Sequence, residues 1–134
     1  MPGLGTKAGA ALVSHPSIDK IAFTGSPTTG RFIMRAAADH ITRFSLELGG
    51  KSPSVVFADA DIDTAVRQTT SGAFFNAGQV CSAAIRILVD DAIHDAFVER
   101  LTARVAGLRL GDPFKPATSC GPVSSRGQMQ PAVL

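Results

Sequence analysis

Three places in the sequence carry residues that could do chemistry: the turn Gly25-Ser26-Pro27, a lone glutamate at 47 and a cysteine at 81. The stretch around the glutamate, SLELGGKSP (45–53), contains GGKS, the end of a phosphate-cradling loop. That loop requires G-x-x-x-x-G-K-[ST] and opens a helix. Here the position five before Gly50 is Ser45, and Ser52 is followed by Pro53 and the β-branched pair Val55 and Val56, which read as a strand. The phosphate-loop reading fails on both counts, and Glu47, set between Leu46 and Leu48, needs another account. Either strand alternation points it to solvent, or it is buried, where a carboxylate must be paired or have its pKa raised to a purpose.

The Gly25-Ser26-Pro27 turn follows a short apolar run and precedes a helical pattern, with Ser26 as N-cap and Pro27 at the first helical position. Free N–H groups and the positive end of the helix dipole could hold a phosphate there; an ordinary capped turn would look the same. Cys81 ends the loop NAGQVC after an apolar helix, and is either a buried inert thiol or a nucleophile. Phe74 and Phe75 read as helix core. His15, His40 and His94 are scattered and read as surface or capping residues, and no metal-ligand spacing occurs. Cys81 and Cys120 lie far apart without CxxC spacing, which gives a disulfide no support. Taken together, a thiol nucleophile, a carboxylate able to activate water and a phosphate-ready helix terminus suit oxidation of an aldehyde by a nicotinamide cofactor.

These residues need elements to position them. A helix over 6–14 with Thr6 as N-cap, a strand at 21–23 and a helix from Ser26 toward Asp39 come first. Strands around 44–48 and 54–57, a helix opened by Asp61, a strand at 85–89 and an amphipathic helix over 92–108 follow, and the remainder is turn-rich. This alternation predicts an α/β protein with mainly parallel pairing. Because the chain opens on a helix and stops after a Gly-Pro turn, the pattern predicts an internal piece of a larger fold.

With 134 residues, 45% hydrophobic and 18% charged, the chain can build a core and is not a solvated linker. A net charge of +2 without a basic block gives no reason to expect nucleic acid as a partner. No apolar run approaches the roughly 20 residues that cross a bilayer, and the N-terminus lacks a signal-peptide core. The expected setting is cytoplasmic, with no membrane partner.

IAFTGSPTTG (21–30), LELGGKSP (46–53) and FFNAGQVCSA (74–83), in this order and spacing, closely resemble the NAD(P)-dependent aldehyde dehydrogenase superfamily. LELGGKSP matches its glutamate signature and FNAGQVC its cysteine signature, and the likeness extends to LGDPF (110–114) and GPVSS (121–125). The resemblance implies an internal fragment in which 1–48 is the end of a Rossmann-like NAD(P)-binding domain and 49–134 the start of an α/β catalytic domain. It implies Cys81 as nucleophile and Glu47 as general base. Gly25, Ser26, Thr29 and Gly30 would lie at the cofactor pyrophosphate and Leu48 beside the nicotinamide, while Asn76 and Gln79 would shape the cysteine loop. The family's chemistry runs from thiolate attack on the aldehyde through hydride transfer to a thioester, which water activated by Glu47 hydrolyses to a carboxylic acid.

Family members are far longer and homo-oligomeric, and parts of the cofactor and oxyanion sites lie in segments with no counterpart here. After Gln130, Pro-Ala-Val-Leu departs from the family pattern. The resemblance therefore implies a chain inactive alone. Two rival readings stand beside it: a non-catalytic remnant, and a thiol esterase needing no cofactor.

Overall fold

The computed structural model describes residues 2–129. Within the chain, contacts divide at Gly49/Gly50 into two compact units.

The first unit opens with a π-helical turn, Gly5–Gly9, that runs into α1 (Ala10–Val13). Leu4 rather than Thr6 occupies the N-cap, and no side chain caps it: the helix starts at Gly5, so Thr6 already lies inside it. Strand β1 (Lys20–Gly25), helix α2 (Pro27–His40) and strand β2 (Arg43–Leu48) form a β-α-β unit in which β1 and β2 pair in parallel, Phe23 opposite Leu46 and Gly25 opposite Leu48. Helix α2 presents Gly30, Ile33 and Ala37 to the sheet, the i, i+3, i+7 spacing of one helix face. Ile21, Ile33 and Ala37 make the core, with Val13, Ile18, Phe23 and Leu46 packed against them.

In the second unit β3 (Pro53–Val56) pairs in parallel with β4 (Arg86–Val89). Between them runs α3 (Ile62–Phe74), capped by Asp61, whose carboxylate accepts the Thr64 N–H at 2.8 Å. A short 3-10 turn at Asp91–Ile93 leads into α4 (His94–Ala106). Val56, Val66 and Phe97 make a second core from β3, α3 and α4. An isolated parallel bridge, Leu110 with Cys120, and a short α5 (Arg126–Met129) organise a stretch that reads in sequence as turns alone.

The parallel pairing expected from the alternation is present in both sheets. Phe74 and Phe75 depart from their core assignment: α3 ends at Phe74, the chain turns sharply, and both rings are exposed. Among the described residues no helix is long and apolar enough to cross a membrane.

Candidate functional site

The residues expected at a cofactor gather in the first unit. Ser26 has extended backbone and caps α2: its Oγ accepts the Thr29 N–H at 3.2 Å and lies 3.1 Å from the Thr29 hydroxyl. Pro27 brings no N–H, so the cap leaves the Thr28 N–H as a donor that helix geometry does not satisfy. This terminus therefore offers one backbone donor, two hydroxyls and the positive end of a 14-residue helix to an anion.

Two glycines let the backbone close around that terminus. A Cβ on Gly25 would stand 2.5 Å from the Phe23 ring, and one on Gly30 would stand 3.0 Å from a Leu48 methyl. Gly30 thus sets how closely α2 approaches β2, and Leu48 is the side chain it approaches. Glu47, one residue along, alternates to the opposite face of β2 and is exposed, the solvent-facing one of its two expected arrangements. It makes no ion pair among the described residues.

Beside the α2 terminus lies an apolar groove of about 600 Å³, with Gly5, Gly9 and Val13 on one wall and Phe23, Thr29 and Phe32 on the other. Sequence reasoning did not single out this groove. Its available signal was the pair Gly5 and Gly9, whose i, i+4 spacing puts two residues without side chains on one helix face.

Cys81 stands in the second unit, exposed, on a turn that the Ala83 N–H closes onto the Val80 carbonyl at 3.0 Å. Downstream, the Ala84 N–H donates to the Gly72 carbonyl of α3 at 3.2 Å, which ties the turn to the helix. Upstream, Asn76, Ala77 and Gly78 all take positive φ (52°, 57° and 74°). Left-handed backbone is easy for glycine, tolerated by asparagine and costs alanine roughly 1–2 kcal/mol. Reciprocal bonds hold this loop: the Asn76 carboxamide donates to the Gln79 carbonyl at 3.3 Å, and the Gln79 carboxamide donates to the Asn76 carbonyl at 3.1 Å. The Cys81 and Ser82 N–H groups have no protein partner among the described residues. An exposed thiol beside free amide donors on a held turn can add to a carbonyl and support the oxyanion that results.

The histidines act locally. His15 accepts the Ser17 N–H at 3.2 Å, His94 contacts Asp95 at 2.9 Å and His40 is exposed at the end of α2. Among the described residues no three His, Cys, Asp or Glu side chains cluster as metal ligands would.

The first unit thus offers a helix terminus open to an anion beside an apolar groove, and the second unit an exposed thiol on a turn that follows three left-handed residues. The profile of the aldehyde dehydrogenase family matches residues 1–132, and the chain belongs to that family. It is 49% identical over 128 residues to chloroplastic betaine aldehyde dehydrogenase of Atriplex hortensis, covering 96% of this chain and 26% of that protein. With retinal dehydrogenase 2 of Mus musculus it shares 50% identity over 129 residues, covering 96% of this chain and 25% of that protein. The NAD+ complex of an aldehyde dehydrogenase from Bacillus cereus superposes with a TM-score of 0.92 at 42% identity, covering 96% of this chain and 26% of that one. The chain spans about a quarter of the length of the relatives it matches. Its fold is α/β, shared with the Rossmann-like aldehyde dehydrogenases.

Proposed function

We propose that this segment carries the nucleophile, the general base and part of the cofactor site of an enzyme that oxidises an aldehyde to a carboxylic acid with NAD+ or NADP+. The observation that carries the reading is Cys81, exposed on a hydrogen-bonded turn just after three left-handed residues, in a chain that matches the family over residues 1–132. Residues 1–48 would supply the end of the cofactor domain and 49–134 the start of the catalytic domain. As an isolated chain the segment is inactive.

The cofactor fits the residues present. The apolar groove suits a flat aromatic base, and the Thr28 N–H with the Ser26 and Thr29 hydroxyls suits a pyrophosphate, which Gly25 and Gly30 let approach the backbone. Leu48, packed against Gly30, would border the nicotinamide. When bound, NAD(P)+ supplies an acceptor for the hydride that leaves the substrate carbon. Cys81 Sγ attacks the aldehyde carbon and holds it as a thiohemiacetal, whose oxyanion the Cys81 and Ser82 N–H groups can meet. Loss of hydride leaves a thioester on Cys81. Glu47 takes a proton from the water that attacks this thioester, the Cys81 thiolate departs, and the carboxylic acid is released. Bond-making with water thus belongs to Glu47, and bond-making with aldehyde to Cys81.

The two roles separate in time, so two variants test them in a full-length family chain bearing this segment. Cys81→Ala abolishes both the first burst of NADH and steady turnover. Glu47→Gln keeps the side chain's size but loses the base, so it retains a burst and slows deacylation strongly. Aldehyde-dependent NAD reduction by Cys81→Ala would remove the covalent mechanism, and full steady turnover by Glu47→Gln would remove the general base.

A further inference from the structure

The side-chain amide of Gln79 does more than shape its own loop. Its Oε1 accepts the Ser124 backbone N–H at 2.8 Å across 45 residues of sequence, while its Nε2 donates to the Asn76 carbonyl at 3.1 Å. Among the described residues this is the long-range hydrogen bond that joins the cysteine loop to the 121–125 segment. That segment is itself anchored: the Ser119 and Cys120 N–H groups donate to the Arg109 carbonyl at 2.8 and 3.1 Å, and the Gly111 N–H donates to the Cys120 carbonyl at 3.2 Å. Cys81 is therefore held from two sides, through Ala84 on α3 and through Gln79 on the segment that follows α4.

We infer that Gln79 is a positioning residue that locks the Cys81 turn to the 121–125 segment and keeps the thiol aligned with its neighbouring N–H groups. The inference rests on the reading of Cys81 as a nucleophile toward aldehydes. Upstream, Ala77 carries the cost of left-handed backbone, and the turn at 80–83 begins one residue after Gln79. A carboxamide suits this place because it accepts from Ser124 and donates to Asn76 at once. Glutamate keeps the acceptor and loses the donor. Methionine keeps the shape and loses both.

Amide hydrogen exchange on the 134-residue chain separates these cases. Gln79→Met should speed exchange at the Ser124 and Ala83 amides by about tenfold, the scale of losing one net hydrogen bond at each side. Gln79→Glu should leave Ser124 protected and speed Ala83 alone. Amides around the buried Phe97 should match the parent chain in both variants. Unchanged Ser124 exchange in Gln79→Met would overturn the inference. So would equal loosening of Ser124 in both variants, or acceleration that reaches the Phe97 core, since each describes a merely structural glutamine. A second measurement, in a full-length family chain bearing this segment, follows iodoacetamide labelling of the Cys81 peptide with and without a short aliphatic aldehyde. In the parent chain the aldehyde slows labelling; in Gln79→Met that protection should fall severalfold while labelling without aldehyde stays the same. If aldehyde gives the parent chain no protection, the nucleophile reading fails, and the exchange data still decide the clamp.

Discussion

Among the glycines of the first unit, Gly25 has the least room for a side chain. Its backbone conformation is open to other residues, so what excludes a side chain is the Phe23 ring, 2.5 Å from where a Cβ would sit. Phe23 also packs against the Ile21, Ile33 and Ala37 core and lines the apolar groove. Gly25→Ala must therefore move the ring, against the core or into the groove. Overpacking of this kind costs roughly 1–3 kcal/mol, and the urea midpoint of the variant should fall accordingly. A variant as stable as the parent would mean that Phe23 yields without loss. In sequence Gly25 reads as a strand end where a phosphate could approach. The ring that crowds a side chain here lies two residues back on the same face, a contact that strand alternation allows but does not announce. Gln79 was less legible still. Only the family resemblance implied a supporting role for it, and its partner Ser124 is fixed by the packing of the segment after α4.

Helix ends were the most legible elements, because caps are local. Ser26-Pro27 and Asp61 both start helices where their residue types predict, and the Ser26 and Asp61 side chains accept the expected N–H groups. The far end of α2 is different. It stops at Ile41, a β-branched residue with φ 54° and ψ 33° whose side chain is 91% exposed. The left-handed backbone is needed so that the Thr42 N–H can reach the Ala37 carbonyl at 2.9 Å, and glycine is the residue that adopts it freely. Since Ile41 buries almost nothing, Ile41→Gly should stabilise the first unit by about 1 kcal/mol. Chemical denaturation checks this, and a lower midpoint would show that the exposed side chain contributes more than its surroundings suggest. At the start of α3 the Thr64 hydroxyl, and then the Thr64 N–H, hold the Asp61 carboxyl below its ordinary value. A depressed carboxyl stabilises the fold above its unfolded pKa, and that contribution is lost as pH falls through the lower folded value. In Asp61→Asn the midpoint should fall less steeply with acid than in the parent. Parallel acid titrations of the two chains would remove this assignment.

At the scale of the whole molecule the decisive feature is apolar surface that each unit leaves uncovered. In the second unit Val55 and Leu88 are register partners on one face of the β3–β4 sheet, and both are about half exposed, with Phe57 beyond them more exposed still. The opposite face of that sheet carries the core with α3 and α4, so the second face is open by construction. In the first unit Phe32 and Met34 of α2 and Phe44 of β2 are likewise exposed. Among the described residues each sheet has two strands, a size that is marginal without further cover and that leaves strand edges free to pair. Scattered apolar residues are ordinary on a protein surface, but adjacent ones on a sheet face beside an open edge favour association. The 134-residue chain expressed alone should therefore self-associate, with an apparent mass above one chain that rises with concentration, and should bind a dye that reports exposed apolar surface. Charge substitution on the sheet face, Val55→Lys with Leu88→Glu, should reduce both signals together because it breaks up the patch and leaves the Val56, Val66 and Phe97 core untouched. A parent chain that stays monodisperse at one chain's mass, with no dye response, would show that these faces are covered within the chain itself. Association that survives the double substitution unchanged would place the sticking surface elsewhere, on the first unit's exposed Phe32, Met34 and Phe44.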